Sequence, residues 1–450
     1  MLLLLVLVAV AGLYVWPRTL AIDRVVTVDE PVFLGISANF YHALAHGDLA
    51  ETSQFLYPAV TIMWAGTLGY LAELPNYVTD DPGPIEAPTW GEGRLKSVHE
   101  PIRAAGGDPL SVLIAARVAK IVLQAGVFLV AVWLMYRLFG LAVTALAAAF
   151  IVFDPFLVAH DQLLHVDGMT GITAFASMLA AAYADRYPAR LWLWALAGVL
   201  AALCWLTRLT GLVLLPIILL VIIDGAISRY RQRTQPGRAA ALTAAKTAAL
   251  VVGASLVTTV VLWPALWVRP VGTIAETLAE WRRSIETPHP WGLYFAGETV
   301  EGDPGILMYV FVALYKLTPF TLVGLAIVAL AFLFRIASIM PRRSWRPVVI
   351  LAAFVVVYSV GMAAGTRKFD RYILPDFVFL DLFAAIGIVG TARLIWATGR
   401  IAWKRVATIV IVGLVAGQMA LALAQRPYLL DYYNPLLGGT QTAEEMLMLG

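Results

Sequence analysis

Residues 109–158 read PLSVLIAARVAKIVLQAGVFLVAVWLMYRLFGLAVTALAAAFIVFDPFLV, and their four charges are Arg117, Lys120, Arg137 and Asp154. An α-helix rises about 1.5 Å per residue, so about 20 apolar residues cross a hydrocarbon core of about 30 Å. The stretch therefore holds two crossings, 110–136 and 139–158. The same reading extends outward in both directions. Apolar runs at 2–21, 168–184, 191–206, 209–223, 247–265, 315–334, 347–365, 372–391 and 406–424 bring the expected number of spans to eleven. A mean hydropathy of +0.81 with 14% charged residues is incompatible with a water-soluble surface over 450 residues. The first run lacks a basic leader region and is followed by Trp16-Pro17-Arg18 without a small-residue cleavage site, so a retained helix is expected rather than a signal peptide. Cys204 stands alone, which excludes a disulfide framework and a cysteine metal site. No extended basic face accompanies the aromatic residues, so nucleic acid is not an expected partner.

Charge orients the chain. Basic residues gather in alternate loops: Arg186/Arg190, Arg229/Arg231/Arg233/Arg238, Arg335/Arg342/Arg343/Arg346 and Arg393/Arg400/Lys404/Arg405. The positive-inside rule assigns all four groups to the cytoplasm, with Asp185 and Asp224 the only acidic residues beside them. Eleven spans then set the N-terminus inside and the C-terminus outside. Arg18, at the outer end of the first span, runs against this pattern. Two long hydrophilic loops, 22–109 and 266–305, fall outside. Within them Phe33–Leu49 and Ile274–Ile285 are expected to lie on the membrane surface as amphipathic helices, and Pro82 to Gly93 forms a turn-rich loop. The cytoplasmic loops are short and carry no glycine-rich phosphate loop, so chemistry is expected outside.

Three groups of residues carry that chemistry. Asp29-Glu30 follows the first span, and adjacent carboxylates supply a general base or a cation ligand. By themselves they also read as a solvated loop pair. Asp154, Asp161 and Asp167 form a second acidic set, and Asp167 begins a span, where an ionisable residue needs a partner or a function. His160, Asp161, His165 and Asp167 match no strong metal spacing, so a metal is not favoured there; His42/His46 lack a metalloprotease motif, and interfacial packing is the better reading of those two. The third set is basic: Arg117 with Lys120, Arg208, Lys316, Arg367, Lys368 and Arg371, all at outer helix ends. A lipid phosphate is a natural partner for such cations, as are headgroups or Asp370, Asp376 and Asp381.

In order, these features resemble the GT-C glycosyltransferases, specifically the dolichyl-phosphate-mannose protein mannosyltransferase family and its bacterial relatives that add aminoarabinose to lipid A. VDEPVFLGISANFYHALAHGD resembles that family's first outer loop, and PLSVLIAARVAKIV its second-helix entry, with Arg117 at the family's arginine. FDPFLVAHDQLLHVDGMTGITAF resembles the loop that ends in an aspartate, here Asp167. LTRLTGLVLLP is similar to a Lys-Leu-Thr-Gly segment with Arg208 in place of the lysine, and Lys316-Leu317-Thr318-Pro319 is one residue longer than the family's Lys-Thr-Pro. RKFDRYILP and DYYNPLLGG resemble the Arg-Tyr-x-x-Pro element and a motif after the last helix.

The resemblance implies an all-α polytopic fold, a GT-C-type bundle of about eleven spans. Residues 1–424 would form the membrane domain and 425–450 a short outer segment, truncated or naturally short compared with many relatives. It implies inverting transfer of a hexosyl or pentosyl group from a polyprenyl-phosphate carrier to a protein, glycan or lipid hydroxyl. Asp29 would be the base, and Glu30 would orient it or the acceptor. Arg117, Asp167, Arg208, Lys316, Arg367, Lys368, Arg371 and Tyr372 would bind substrate, Asp167 by positioning one of the cations or a sugar hydroxyl. Membrane lipids and the lipid-linked sugar are the implied partners. No further cofactor is required, and a divalent metal is permitted but not favoured. The expected location is the plasma membrane of a prokaryote. Two other readings stand beside this one: a transporter of lipid-linked sugars, which would call for an internal repeat that the chain does not display, and an inactive family member.

Overall fold

The computed structural model describes residues 2–54, 58–79, 83–85, 94–286, 292–334, 336, 339–340 and 342–447. The turn-rich loop from Pro82 to Gly93 lies almost wholly outside the described residues. Helix α1 (Leu2–Thr19) carries Arg18 in its last turn, where the side chain is fully buried. Its guanidinium donates to Asp161 Oδ2 at 2.8 Å and to the carbonyls of Val152 and Ile151. Tyr14 and Gln124 donate to the same carboxylate. The charge that opposed the positive-inside pattern is thus an internal ion pair tying α1 to the segment around residue 161.

The next segment folds into the body of the protein. Helix α2 (Glu30–His46) is buried from Glu30 to Tyr41, a correction to the surface helix expected over Phe33–Leu49. PVFLGISANFY is apolar nearly all round, leaving no polar face to meet headgroups. Gly47 ends the helix in the left-handed conformation, φ 78°, which a side chain disfavours. Helix α3 (Val60–Glu73) packs between α2 and α5 (Pro109–Phe139), and a Cβ at Gly69 would come within 2.5 Å of the Ala116 amide nitrogen. Helix α4 (Arg94–Ala104) connects the two outer-loop helices to α5.

Three helix starts follow one local rule, an oxygen-bearing cap before proline. Asp108 accepts from Ser111 N ahead of Pro109 in α5, and Asp154 accepts from Leu157 N ahead of Pro155 in α7 (Pro155–Asp161). Thr318 accepts from Thr321 N ahead of Pro319 in α15 (Pro319–Leu333). Two of these starts break expected spans. Helix α6 (Leu141–Phe153) meets α7 at 61°, and α14 (Leu307–Lys316) meets α15 at 119°. Proline lacks the amide needed to continue the ladder, and the cap supplies the turn.

Helix α8 (Val166–Arg186) is the centre of the bundle and is buried from Val166 to Ala184. It packs on α5, on α9 (Leu191–Thr207) and on α17 (Leu374–Ala397). Around it lie α10 (Leu214–Arg231), α11 (Gly237–Leu262), α16 (Arg342–Ala363) and α18 (Ile401–Ala424). Six described helices are long and apolar enough to cross a membrane, or eight if each bent pair is one span. Against eleven expected spans, length and apolarity alone account for six to eight among the described residues. α1 and α9 are apolar but short, and α8 is too rich in Gly, Thr, Ser and Tyr. The second outer loop contains the expected amphipathic helix, α13 (Pro270–Glu286), after the short α12 (Ala265–Val268). It also holds an unforeseen hairpin, β1 (Leu293–Phe295) against β2 (Glu298–Val300), turned by Ala296-Gly297 at positive φ. The final segment, ending in α19 (Thr440–Ala443), folds back onto the bundle: Asn434 donates to Tyr315 and Leu317 carbonyls, and Ala296 N to Met446 O.

Candidate active site

Asp29 occupies the N-cap position of α2, yet its carboxylate caps nothing. It points instead to Arg371 Nη2 at 3.1 Å and His165 Nε2 at 3.4 Å, with 14% of the side chain exposed. Arg371 comes from the 370–373 turn that opens α17. His165 is the extended residue ahead of α8, and its Nδ1 lies 2.9 Å from Asp167 Oδ2. Asp167 sits in the first turn of α8, where the helix dipole favours a carboxylate. Arg371 Nε closes the circuit at 3.5 Å from the same oxygen. Arg208, the extended residue ending α9, pairs with Asp167 Oδ1, and its guanidinium covers the Tyr372 ring at 4.0 Å. Four segments far apart in sequence thus form one ring of alternating charge.

The electrostatics follow from burial and neighbours. Burial pushes the Asp29 carboxyl upward, but the His165 hydrogen bond and the Arg371 charge outweigh it and leave it below the usual carboxylate range. Burial pushes His165 down, and the Asp167 and Asp29 carboxylates outweigh it and leave the imidazole above its usual value. The two shifts run in opposite directions, and each favours the charged form of its group beside the other.

Glu30 has a different environment. It is fully buried, and Arg117 grips both its oxygens, Nε–Oε1 at 2.7 Å and Nη2–Oε2 at 2.5 Å. Thr27 N and Leu164 N donate to it as well. Arg117 also donates to the carbonyls of Ile22 and Val25. This clamp fastens the chain before α2 to α5 and to the loop before α8. In this geometry Glu30 holds the backbone beside Asp29, and Arg117 is engaged away from the ring.

The remaining basic residues divide similarly. Lys316 is buried between the Tyr433 ring, 3.7 Å from its Nζ, and Phe156, donates to Leu430 O at 2.9 Å and lies 3.6 Å from Asp370. Lys368 is buried on Asp303 and Gly365 O, holding the second loop against the bundle. Arg367 is half-buried and its Nε has no hydrogen-bond partner among the described residues. Of the three aspartates named as alternative partners, Asp370 meets a cation, while Asp376 and Asp381 accept from Ser359 and Thr321. The structure therefore brings Asp29, Asp167, Arg208, Arg371 and Tyr372 together, with Lys316 behind them through Asp370. Sequence reasoning left His165 outside this set. Its position two residues before Asp167, just ahead of a helix, was the available signal.

Among the described residues no three His, Cys, Asp or Glu side chains gather as a metal site. His42 and His46 stack on the surface of α2, with ring centroids 4.1 Å apart. Lys120 is wholly buried under the site and donates to the His160 and His165 carbonyls, at 3.3 and 3.5 Å.

No family model and no curated protein matches the chain. Solved structures do. ArnT from Cupriavidus metallidurans bound to undecaprenyl phosphate superposes with a TM-score of 0.53 at 16% identity, over 93% of this chain and 70% of that one. The fold is similar to GT-C membrane folds. The archaeal oligosaccharyltransferase AglB from Archaeoglobus fulgidus, in complex with an inhibitory peptide and a dolichol-phosphate, gives a TM-score of 0.52 at 12% identity. That match covers 94% of this chain and 55% of AglB. The likeness is one of architecture; the long apolar helices among the described residues mark the chain as an integral membrane protein.

Proposed function

We propose that this protein transfers a sugar from a polyprenyl-phosphate carrier to a hydroxyl acceptor, with Asp29 as the general base. The carrying observation is a carboxylate at the mouth of a ring that also holds Arg371, Arg208, His165 and Asp167. The acceptor O–H gives its proton to Asp29 while its oxygen bonds to the anomeric carbon. The bond from that carbon to the phosphate oxygen breaks on the opposite face, so the anomeric centre inverts. The polyprenyl phosphate leaves with the bonding electrons. The charge it gains calls for fixed cations, and Arg371 and Arg208 are the nearest to Asp29 and Asp167. Tyr372 supports Arg208 through its ring face. The carriers in the ArnT and AglB structures, undecaprenyl phosphate and a dolichol-phosphate, support this donor class.

A base held below the usual carboxylate range is a weak one. In this reading, donor phosphate competes with Asp29 for Arg371, and Asp29 gains basicity as the donor docks. The ring lies at the end of the bundle opposite the arginine-rich loops, and the positive-inside pattern supports an outer-face site, in this reading that of a prokaryotic plasma membrane.

The test uses purified protein in lipid nanodiscs with radiolabelled polyprenyl-phosphate sugars and a panel of hydroxyl acceptors. Transfer by the wild type and its loss in Asp29→Asn supports the reading. Undiminished transfer in Asp29→Asn refutes the assigned base. Movement of the labelled lipid across vesicles without transfer replaces the enzyme by a transporter.

A further inference from the structure

A second charged cluster closes the far ends of the same helices. Asp185 lies about 27 Å beyond Asp167 along α8, at a rise of about 1.5 Å per residue. There α8, α10 and α16 border an open cavity of about 230 Å³, lined by Asp185, Arg186, Gly225, Ser228, Arg229 and Arg346 among others. Arg346 is fully engaged with carboxylates. Its Nε and Nη2 fork Asp185 at 2.5 and 3.0 Å, and its Nη1 holds Asp224 at 2.8 Å. That leaves Arg186 and Arg229 on the cavity wall without a carboxylate partner among the described residues, and the buried Arg229 Nε has no hydrogen-bond partner there. Gly225 floors the cavity. A Cβ at that position would come within 2.9 Å of Asp185 Oδ1 and 3.3 Å of Arg229 Nη1, so the missing side chain is what admits the guanidinium.

Beside it, the opposite flank of the same turns of α10 opens a cleft of about 390 Å³ toward α11. Ile223, Ala226, Ile227, Tyr230, Ala240 and Ala244 line it, and its walls are almost wholly carbon. The same turns of α10 thus carry a cavity with surplus positive charge on one flank, lined by Arg229, and an apolar trough on the other. One chemical class matches both: a phosphodiester bearing hydrocarbon chains.

We propose that this end of the protein binds an anionic phospholipid, with Arg186 and Arg229 holding the phosphate and the α10–α11 cleft taking one acyl chain. A zwitterionic lipid brings its own cation to the phosphate and gains less from two arginines. The proposal stands apart from the transferase reading, because it uses none of that ring's residues.

The test is native mass spectrometry and thermal unfolding of the intact protein with phosphatidylglycerol, with phosphatidylcholine, and with inorganic phosphate. Wild type is expected to retain phosphatidylglycerol at least tenfold better than phosphatidylcholine and to unfold at a higher temperature with it. Arg186→Gln/Arg229→Gln is expected to lose that preference while unfolding normally in phosphatidylcholine. Ala241→Trp, which fills the cleft and keeps both arginines, is expected to weaken both lipids. Equal retention of the two lipids by wild type overturns the proposal, as does a preference that survives the double substitution. Stabilisation by inorganic phosphate equal to that by phosphatidylglycerol overturns the lipid assignment in favour of a free-anion site.

Discussion

Asp29 and Glu30 are adjacent acids, and the two should fail differently when neutralised. Loss of a general base costs about 10²–10⁴-fold, or about 2.7–5.4 kcal/mol at 1.36 kcal/mol per decade. His165 and Arg371 hold the Asp29 carboxyl low, so it is a weak base, and we expect the lower half of that range, about 10²–10³-fold in turnover for Asp29→Asn. Its folding cost should be small, because the side chain is partly exposed and Arg371 keeps Asp167 as a partner. Glu30→Gln attacks a pair whose members are 0% and 1% exposed. Removing one partner of such a pair costs about 3–5 kcal/mol, because the other charge stays buried without its counterion. Arg117→Met should cost a similar amount. The double Glu30→Met/Arg117→Met should recover only part of that loss: it removes the unpaired charge but leaves the Thr27 and Leu164 amides and the Ile22 and Val25 carbonyls without their partners. The assays are denaturant unfolding in detergent, followed by tryptophan fluorescence, and transfer of radiolabelled sugar. Asp29→Asn unfolding early while Glu30→Gln is stable but inactive would refute the division of labour.

Three further outcomes follow from the same geometry. The His165 imidazole is raised in the folded state, so its ionic contribution is complete below the usual imidazole value and is lost as pH rises through the raised one. Asp29 is lowered, so its contribution is present above the usual carboxylate value and is lost only as pH falls through the lowered one. Unfolding midpoints measured from about pH 5 to 9 should thus decline on the alkaline side, and His165→Gln should flatten that limb. Arg208→Lys keeps a charge on Asp167 but lacks the planar stack on Tyr372, so donor KM should rise several-fold, whereas Tyr372→Phe should leave it nearly unchanged. Gly69→Ala forces a methyl against the Ala116 backbone and should destabilise by about 1–3 kcal/mol; Gly126→Ala, with nothing within 4 Å, should stabilise by up to about 1 kcal/mol through helix propensity. Equal effects of the two in thermal unfolding would show that α3 and α5 are not in close contact.

The membrane class was legible because lipid imposes one demand, long apolar helices, that no local detail conceals. The breaks inside those helices were harder to see. FDP and LTP each continue an apolar run, and hydropathy averages across the cap and proline that stop the helix. α2 was misjudged for a related reason. Its position in a hydrophilic loop suggested the surface, whereas the near absence of polar residues between Pro31 and Tyr41 was the better guide to burial. The hairpin at 293–300 was readable in principle from Ala-Gly between short β-prone runs, but two three-residue strands give little periodicity to detect.

The site was legible by residue type and not by partner. From Arg117 to Arg371, the basic residues at outer helix ends other than Arg18 read as candidates for the phosphate, because sequence shows a charge and hides what neutralises it. In the folded chain Arg18 goes to Asp161, Arg117 to Glu30, Lys316 to Asp370, Lys368 to Asp303 and Arg208 to Asp167. Burial requires this, since an unpaired cation in a low dielectric is far costlier than a paired one. The pairs differ in what a ligand can do to them. Arg18, Arg117, Lys316 and Lys368 have side chains 0–1% exposed and also hold backbone carbonyls, so an incoming phosphate would have to break the fold to reach them. Arg371 is 26% exposed and lies 3.1 Å from Asp29 and 3.5 Å from Asp167, so it can turn toward a new anion while its second carboxylate keeps it in place. Of these cations Arg371 can move to a donor at least expense to the fold, and the group it leaves is the carboxylate that the transfer reaction needs free.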